Sequence, residues 1–151
     1  MASVLRISEA ASLALHTVTC LSSSSGKPIA AKDVAERLGV SEAHLSKVLQ
    51  RLSKAGIVRS TRGPHGGFRL ARNANDVTLL DVFEAIEGPM GRETCLLKRR
   101  VCLDGCMLGN LMEDVTEQVR GRLAGTRLAD LSDRFGGDDD VDARSEDGSH
   151  R

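Results

Sequence analysis

Three of the four cysteines, Cys95, Cys102 and Cys106, lie within twelve residues in the segment GRETCLLKRRVCLDGCMLG. Clustered thiolates are soft ligands that suit iron–sulfur clusters or zinc. Three basic residues at positions 98–100 lie between the first two cysteines, and their positive charge favours the thiolate form. Zinc is the weaker alternative because a fourth Cys or His at short spacing is missing. The same thiols could instead form an oxidisable switch or have no function.

The composition favours a small helical protein. Apolar residues make up 40% of the 151 residues, with no Trp, no Tyr and three Phe, so the core must consist of Leu, Val, Ile and Ala. No run of 18 uncharged apolar residues exists, which predicts that no segment spans a membrane. Residues 1–21 carry too little basic charge before their apolar part for a signal peptide, so we expect a cytoplasmic protein with reduced cysteines.

Charge is unevenly distributed along a chain whose formal net charge is zero. Residues 1–75 contain eleven Lys or Arg against four Asp or Glu, a net charge of +7. Residues 76–132 have a net charge of −3 and residues 133–151 a net charge of −4. A basic half within a neutral chain predicts an anionic partner for that half.

The basic half has the pattern of a winged helix-turn-helix. Helices are predicted at about 8–21 and 30–38, and Gly39 follows the second helix. Ser41 then opens SEAHLSKVLQRLSKAG, a helix with a Ser cap and an apolar stripe. The alternating segments 57–61 and 67–71 flank RGPHGG and predict a β-hairpin, which forms the wing.

The rest of the chain predicts more helices and a polar end. Thr78 and Asp81 form a capping-box-like start to a helix that ends near Glu87. A long apolar stripe predicts a helix over 108–123, which would bury that stripe against a second copy of the chain. A short helix follows near 126–135. The predicted divisions are a DNA-binding domain over 1–90, a cysteine loop over 91–107, a dimerisation region over 108–135 and an acidic disordered tail over 136–151.

The predicted second helix of the motif and the wing supply candidate DNA contacts. Ser41, His44 and Lys47 lie early on that helix, on the side away from its apolar stripe, and can donate hydrogen bonds to bases or phosphates in the major groove. Arg62 and His65 flank the glycine-rich tip of the wing, and Arg62 suits the electronegative minor groove. Another three basic residues are interpreted as phosphate neighbours or surface charges: Arg51, Lys54 and Arg59.

The segment LGVSEAHLSKVLQRLSKAGIVRSTRGPHGGFRL resembles the DNA-binding core of IscR and NsrR-type winged-helix regulators of the Rrf family. The RGPxGG pattern of the wing is the most specific part. The opening RISEAASLAL, the helix VTLLDVFEAIEG and the closing TRLADL also match, so the resemblance covers about residues 4–132. It implies a mainly α-helical fold with a small β-hairpin, a long dimerisation helix, a homodimer and a palindromic double-stranded DNA operator.

The resemblance also implies an iron–sulfur cluster, whose 2Fe–2S or 4Fe–4S type stays open. Its three ligands fall on Cys95, Cys102 and Cys106, and the DNA-reading positions fall on Ser41, His44, Lys47 and Arg62. Some relatives take a fourth ligand from the first helix of the other subunit.

Where such a relative has a carboxylate in the first helix, this chain has Ser12. His16 matches a histidine used by some relatives and is the first candidate for the fourth ligand. Glu9 and Cys20 on the same helix are weaker candidates.

These patterns support three interpretations of function. The first is a transcription regulator that senses redox, nitric oxide or iron status through the cluster. The second is a regulator of the same fold that works by thiol oxidation or without a cofactor. The third, a small electron-transfer protein, leaves the basic half unexplained. No nucleophile–base pair, P-loop or dinucleotide fingerprint is present, so an enzyme is not expected.

Overall fold

The computed structural model describes residues 7–91 and 106–132. These residues form a mainly helical structure with one antiparallel β-hairpin, which confirms the predicted fold class. The helices are α1 Glu9–Ser23, α2 Ala31–Leu38, α3 Glu42–Lys54, α4 Leu79–Glu87, α5 Met107–Gly125 and α6 Ala129–Ser132. The strands are β1 Val58–Thr61 and β2 Gly67–Leu70, and a 3₁₀ turn spans Ala74–Asp76.

Side-chain caps fix where α1 and α4 begin. The hydroxyl of Ser8 accepts from the Ala11 amide at 3.1 Å and starts α1. Thr78 and Asp81 form the predicted capping box at the start of α4, with each side chain bonded to the other residue's amide. Because a cap satisfies amides that have no partner within the helix, these local signals define the helix starts.

The hairpin pairs Val58 with Leu70 and Arg59 with Arg69. A third segment joins its other edge, because Ile29 and Phe68 exchange backbone hydrogen bonds of 2.9 and 2.8 Å. The hairpin is therefore anchored to the loop between α1 and α2 as well as to α3.

Helix α1 lies at the centre of the core and contacts α2, α3, α4, α6 and β2. The core is aliphatic, as the composition predicts. Its larger fully buried side chains come from α1 to α4, the hairpin and the segments beside them. They are Val18, Leu21, Val34, Leu45, Val48, Leu49, Leu52, Ile57, Val58, Val77, Val82 and Leu128.

After α5 the chain returns to the segment between the hairpin and α4. The Leu128 amide donates to the Val77 carbonyl at 3.0 Å, and the Leu128 side chain has no exposed surface. Thr78 and Arg127 form an isolated antiparallel bridge beside it. The segment after α5, which the sequence assigned to a dimerisation region, therefore contributes to the core.

Helix α5 packs on α4 but leaves apolar side chains open to solvent. Leu108 and Leu111 are each 56% exposed, and other members of the predicted stripe are half-buried. The predicted cysteine loop lies outside the described residues over 92–105, and the predicted tail over 136–151 also lies outside them. Within the ranges that the structure describes, no helix is long and apolar enough to cross a membrane.

Candidate nucleic-acid interface and cysteine site

Helix α3, which we call the recognition helix, is held by its apolar side. Gly39 ends α2 with a φ of 64°, a conformation that glycine adopts without strain. Ser41 then caps α3 by accepting from the His44 amide at 3.2 Å. Leu45 and Leu49 on one side of α3 are buried in the core. The opposite side of the helix therefore faces outward.

Three of the predicted DNA contacts lie on this helix. Ser41 and Lys47 are exposed. His44 is partly exposed, and its Nδ1 lies 3.8 Å from the Glu9 carboxylate of α1. The structure thus brings the three predicted residues onto the first half of the recognition helix, with a carboxylate beside one of them.

Two glycines at the wing tip lie where the backbone leaves no room for a side chain. A Cβ atom on Gly66 would lie 2.2 Å from the Thr61 carbonyl oxygen, and one on Gly67 would lie 2.3 Å from the Ile29 oxygen. The Gly66 amide donates to the Gly63 carbonyl at 2.9 Å and closes the turn. Arg62 and His65 are both exposed at this tip.

Cys106 is the one member of the predicted ligand set within the described residues, since Cys95 and Cys102 lie outside them. It is the N-cap of α5, and its Sγ accepts from the Gly109 amide at 3.2 Å. A helix N-terminus stabilises negative charge through its amides and its dipole. The position of Cys106 therefore favours a thiolate.

The candidates for a fourth ligand lie on α1 in two environments. Glu9 and His16 line a shallow pocket of about 230 Å³ next to the turn between α2 and α3. The His16 Nδ1 donates to the Ser12 carbonyl at 2.7 Å, which orients the ring. Cys20 instead is 2% exposed and belongs to the core, although it lies one turn after His16.

The described residues contain no group of three or more Cys, His, Asp or Glu side chains placed to hold a metal ion. Two of the three predicted cysteines lie outside these residues, so the complete predicted ligand set is not described. The structure describes Cys106 at the start of α5. It also describes a pocket on α1 that is lined by the Glu9 carboxylate and the His16 imidazole.

A family model for "Rrf2: Iron-dependent Transcriptional regulator" matches residues 7–134. The chain belongs to the Rrf2 family. This membership confirms the resemblance that the wing pattern and the recognition helix indicated.

Curated relatives of this Rrf2 chain include the HTH-type transcriptional regulator IscR of Photobacterium profundum. The two are 35% identical over 106 residues, which are 69% of this chain and 61% of the relative. This chain therefore matches less than two thirds of that relative's length.

Solved structures of the same fold include two further regulators. CymR, the global cysteine regulator of B. subtilis, superposes with a TM-score of 0.73 at 27% identity, over 87% of this chain and 98% of CymR. IscR of T. potens superposes with a TM-score of 0.71 at 28% identity, over 96% of this chain and 95% of IscR. The Rrf2 chain is thus similar both to a regulator named for cysteine and to an IscR.

The sequence did not indicate the partner of Arg51 on the recognition helix. Arg51 is exposed, which agrees with the surface charge that was one of its two predicted roles, and its guanidinium Nη2 also donates to the Ile86 carbonyl at the end of α4. The partner is a backbone atom 35 positions away, so no local pattern indicates this contact. In the sequence, nothing distinguishes Arg51 from the other basic residues of the same helix.

Proposed function

We propose that this Rrf2 protein is a cytoplasmic, DNA-binding transcription regulator that acts as a homodimer on a palindromic operator. One observation carries the proposal: the recognition helix and the wing tip both present exposed polar or basic side chains. Ser41, Lys47, Arg62 and His65 are exposed, and His44 beside them is partly exposed. A helix for the major groove beside a glycine-rich basic tip for the minor groove is the arrangement that winged helices use to bind DNA.

The proposed dimer uses helix α5. Its stripe leaves Leu108 and Leu111 more than half exposed, and exposed apolar surface of this kind marks an interaction site. A second copy of the same helix would cover both residues in a two-fold symmetric contact. The two recognition helices would then face successive major grooves, about one helical turn apart.

We further propose that Cys95, Cys102 and Cys106 hold an iron–sulfur cluster through which the protein senses redox, nitric oxide or iron status. The donor set fits such a cluster, because thiolates are its usual ligands and Cys106 lies where a helix terminus favours a thiolate. When bound, the cluster supplies a centre that reacts with oxidants and nitric oxide. Its 2Fe–2S or 4Fe–4S type stays open in this proposal.

His16 is the proposed fourth ligand, ahead of Glu9 and Cys20. Its Nδ1 bond to the Ser12 carbonyl is the kind of backbone contact that orients metal-binding histidines, whose other ring nitrogen then faces the metal. Cys20 is nearly fully buried, so α1 would have to move before the Cys20 thiolate could reach the cluster.

Regulation by thiol oxidation is the second candidate. The observation that favours it is again Cys106, since a thiolate at a helix N-terminus is also the reactive form in thiol oxidation. The fold similarity to the global cysteine regulator CymR supports keeping this candidate.

The experiment that tests these proposals starts with anaerobic purification and selection of duplexes from a random-sequence library. We expect enrichment of a palindrome and binding of a dimer to it. Iron and sulfide analysis with visible absorbance then shows whether a cluster is present. If the protein instead works by thiol oxidation, we expect no iron, and diamide treatment alone should change the affinity for DNA. Binding without sequence preference would contradict the proposed regulator.

A further inference from the structure

The end of helix α4 is a junction that contacts three other helices. We call residues 84–91 the α4 junction. The segment that holds Cys95 and Cys102 starts directly after it. The junction is therefore covalently joined to that segment at residue 91.

Met90 ties the junction to two helices at once. Its amide donates to the Glu84 carboxylate of α4 at 3.0 Å, and its carbonyl accepts from Arg120 of α5 at 3.4 Å. The Gly88 amide donates to the Glu84 carbonyl at 2.9 Å and ends α4. Met90 therefore has a fixed position between α4 and α5, one residue before the chain leaves the junction.

Arg51 connects this junction to the last part of the recognition helix. Its guanidinium donates to the Ile86 carbonyl, which lies in the last turn of α4 where carbonyls have no partner within the helix. A cation at this end is also stabilised by the helix dipole. Because Arg51 donates to this carbonyl, it helps to hold α3 in position against α4.

A second connection leads to the first part of the recognition helix. Glu87 accepts from the hydroxyl of Ser8, which caps α1. The next residue, Glu9, lies 3.8 Å from His44 on the recognition helix. Polar contacts thus join the α4 junction to both ends of the recognition helix.

We infer that the α4 junction transmits the state of the cysteine segment to the recognition helix, and that Arg51 is a positioning residue in this coupling and not a phosphate contact. The inference rests on the proposed function, since it needs DNA binding that depends on the cysteines. Met90 senses the segment, the end of α4 shifts, and Arg51 passes that shift to α3. The contacts alone do not establish coupling, so an energetic measurement is required.

The experiment compares wild type with Arg51→Met, which keeps the aliphatic stem and removes the donor. Lys54→Met is the matched control, because it removes a positive charge from the same turn of α3 without a contact to α4. Each protein is tested in three states: reduced and metal-free, reconstituted with iron and sulfide, and oxidised with diamide. The probe is the duplex that wild type selects from the random-sequence library.

Two readouts are taken. The first is amide hydrogen exchange at Gly88 and Met90 in the reduced, metal-free protein without DNA. We expect Arg51→Met to accelerate exchange there and Lys54→Met to leave it unchanged. The second is the ratio of DNA affinities between states, which we expect Arg51→Met to lower by about two- to thirtyfold, the range found for residues along coupled networks.

A phosphate contact gives a different result. Arg51→Met would then weaken binding equally in all three states and reduce the slope of log affinity against log salt by about 0.9. That result, or unchanged exchange at Met90, overturns the inference. Arg51→Lys, which retains one donor, should restore part of the state dependence.

Failure of the proposed function is distinguishable from failure of the inference. If wild type binds the selected duplex with the same affinity in all three states, sensing by the cysteines is wrong and the inference is overturned with it. If wild type depends on state and Arg51→Met keeps the full dependence, only the inference is wrong.

Discussion

The Nδ1 atom of His44 lies 3.8 Å from the Glu9 carboxylate, so the recognition helix contacts the first turn of α1 through a side chain proposed to bind DNA. His44 is 34% exposed and Glu9 is 85% exposed. Water and salt screen a pair this open, which limits its contribution to stability. If His44 contacts DNA as proposed, the Glu9 carboxylate would compete with DNA for the imidazole.

We therefore expect Glu9→Gln to strengthen binding to the selected duplex, by at most about fivefold, the equivalent of the ~1 kcal/mol found for exposed pairs. The measurement is fluorescence anisotropy at constant salt. In a His44→Ala background the same substitution should have little effect. An equal gain in both backgrounds would show that Glu9 acts only through its general negative charge.

Leu128 tests whether the segment after α5 belongs to the core. Its side chain is fully buried, so Leu128→Ala should lower the free energy of unfolding by about 2–5 kcal/mol. Urea denaturation at a fixed protomer concentration measures this loss. Leu131→Ala, in the same segment but only half-buried, is the control and should cost less. Equal losses would contradict the assignment of Leu128 to the core.

Local patterns were sufficient to predict the helix starts and the wing. The side chains of Ser41, Thr78 and Asp81 accept from amides three residues away, and the Gly39 amide donates to carbonyls three and four residues before it. These roles are local and therefore visible in the sequence. The alternating segments on either side of the wing tip likewise determine which residues pair, because a short turn leaves little freedom in register.

Long-range contacts could not be predicted in this way. Ser8 and Glu87 are 79 positions apart, and Arg51 and Ile86 are 35 positions apart. Nothing in the sequence around Ser8, Arg51 or Glu87 distinguishes them from solvent-exposed polar residues. The return of the chain after α5 to pair with Val77 and Thr78 depends on the whole fold, so the sequence pattern suggested only a short final helix.

The candidate site was predictable in part for the same reason. The exposed positions of Ser41, Lys47, Arg62 and His65 agree with helix periodicity and turn chemistry. The contact of His44 with Glu9 joins two helices and was not expected.

Arg62 lies at the exposed tip of the wing, and its role in DNA binding stays a prediction. Arg62→Ala should weaken binding to the selected duplex by about 1–3 kcal/mol if the side chain reads a base or the width of the minor groove. Arg72→Ala is the control, because the Arg72 guanidinium already donates to the Asp76 carbonyl away from the tip. Equal losses of affinity for the selected duplex and for random duplexes would show that Arg62 contacts only phosphates.

Leu111 offers a direct test of the proposed dimer. It is 56% exposed in the single chain, so Leu111→Asp should leave the fold of the protomer intact while placing an unpaired charge in the interface. We expect a monomer in sedimentation equilibrium and loss of affinity for the palindrome. Asn110→Asp introduces the same charge at an exposed position on the other side of α5 and should remain a dimer. A dimeric Leu111→Asp protein would contradict the assignment of this helix face to the interface.

Cys106 has two roles to separate, because its Sγ both caps α5 and is a proposed cluster ligand. Cys106→Ser keeps a capping oxygen but removes the soft ligand, whereas Cys106→Ala removes both. After anaerobic reconstitution, we expect both variants to lose iron and visible absorbance. Only the alanine variant should also lose helix stability, by about 0.5–2 kcal/mol, the usual range for a lost cap.

Cys20→Ala is the matched control for a cysteine that lies in the core. It should retain the iron content of wild type, since three thiolates from Cys95, Cys102 and Cys106 would still be present. Full iron content in Cys106→Ser would show that Cys106 serves α5 as a cap and not the cluster as a ligand. Iron lost from Cys20→Ala instead would move the fourth ligand from His16 to Cys20, and α1 would then have to turn its buried face toward the cysteine segment.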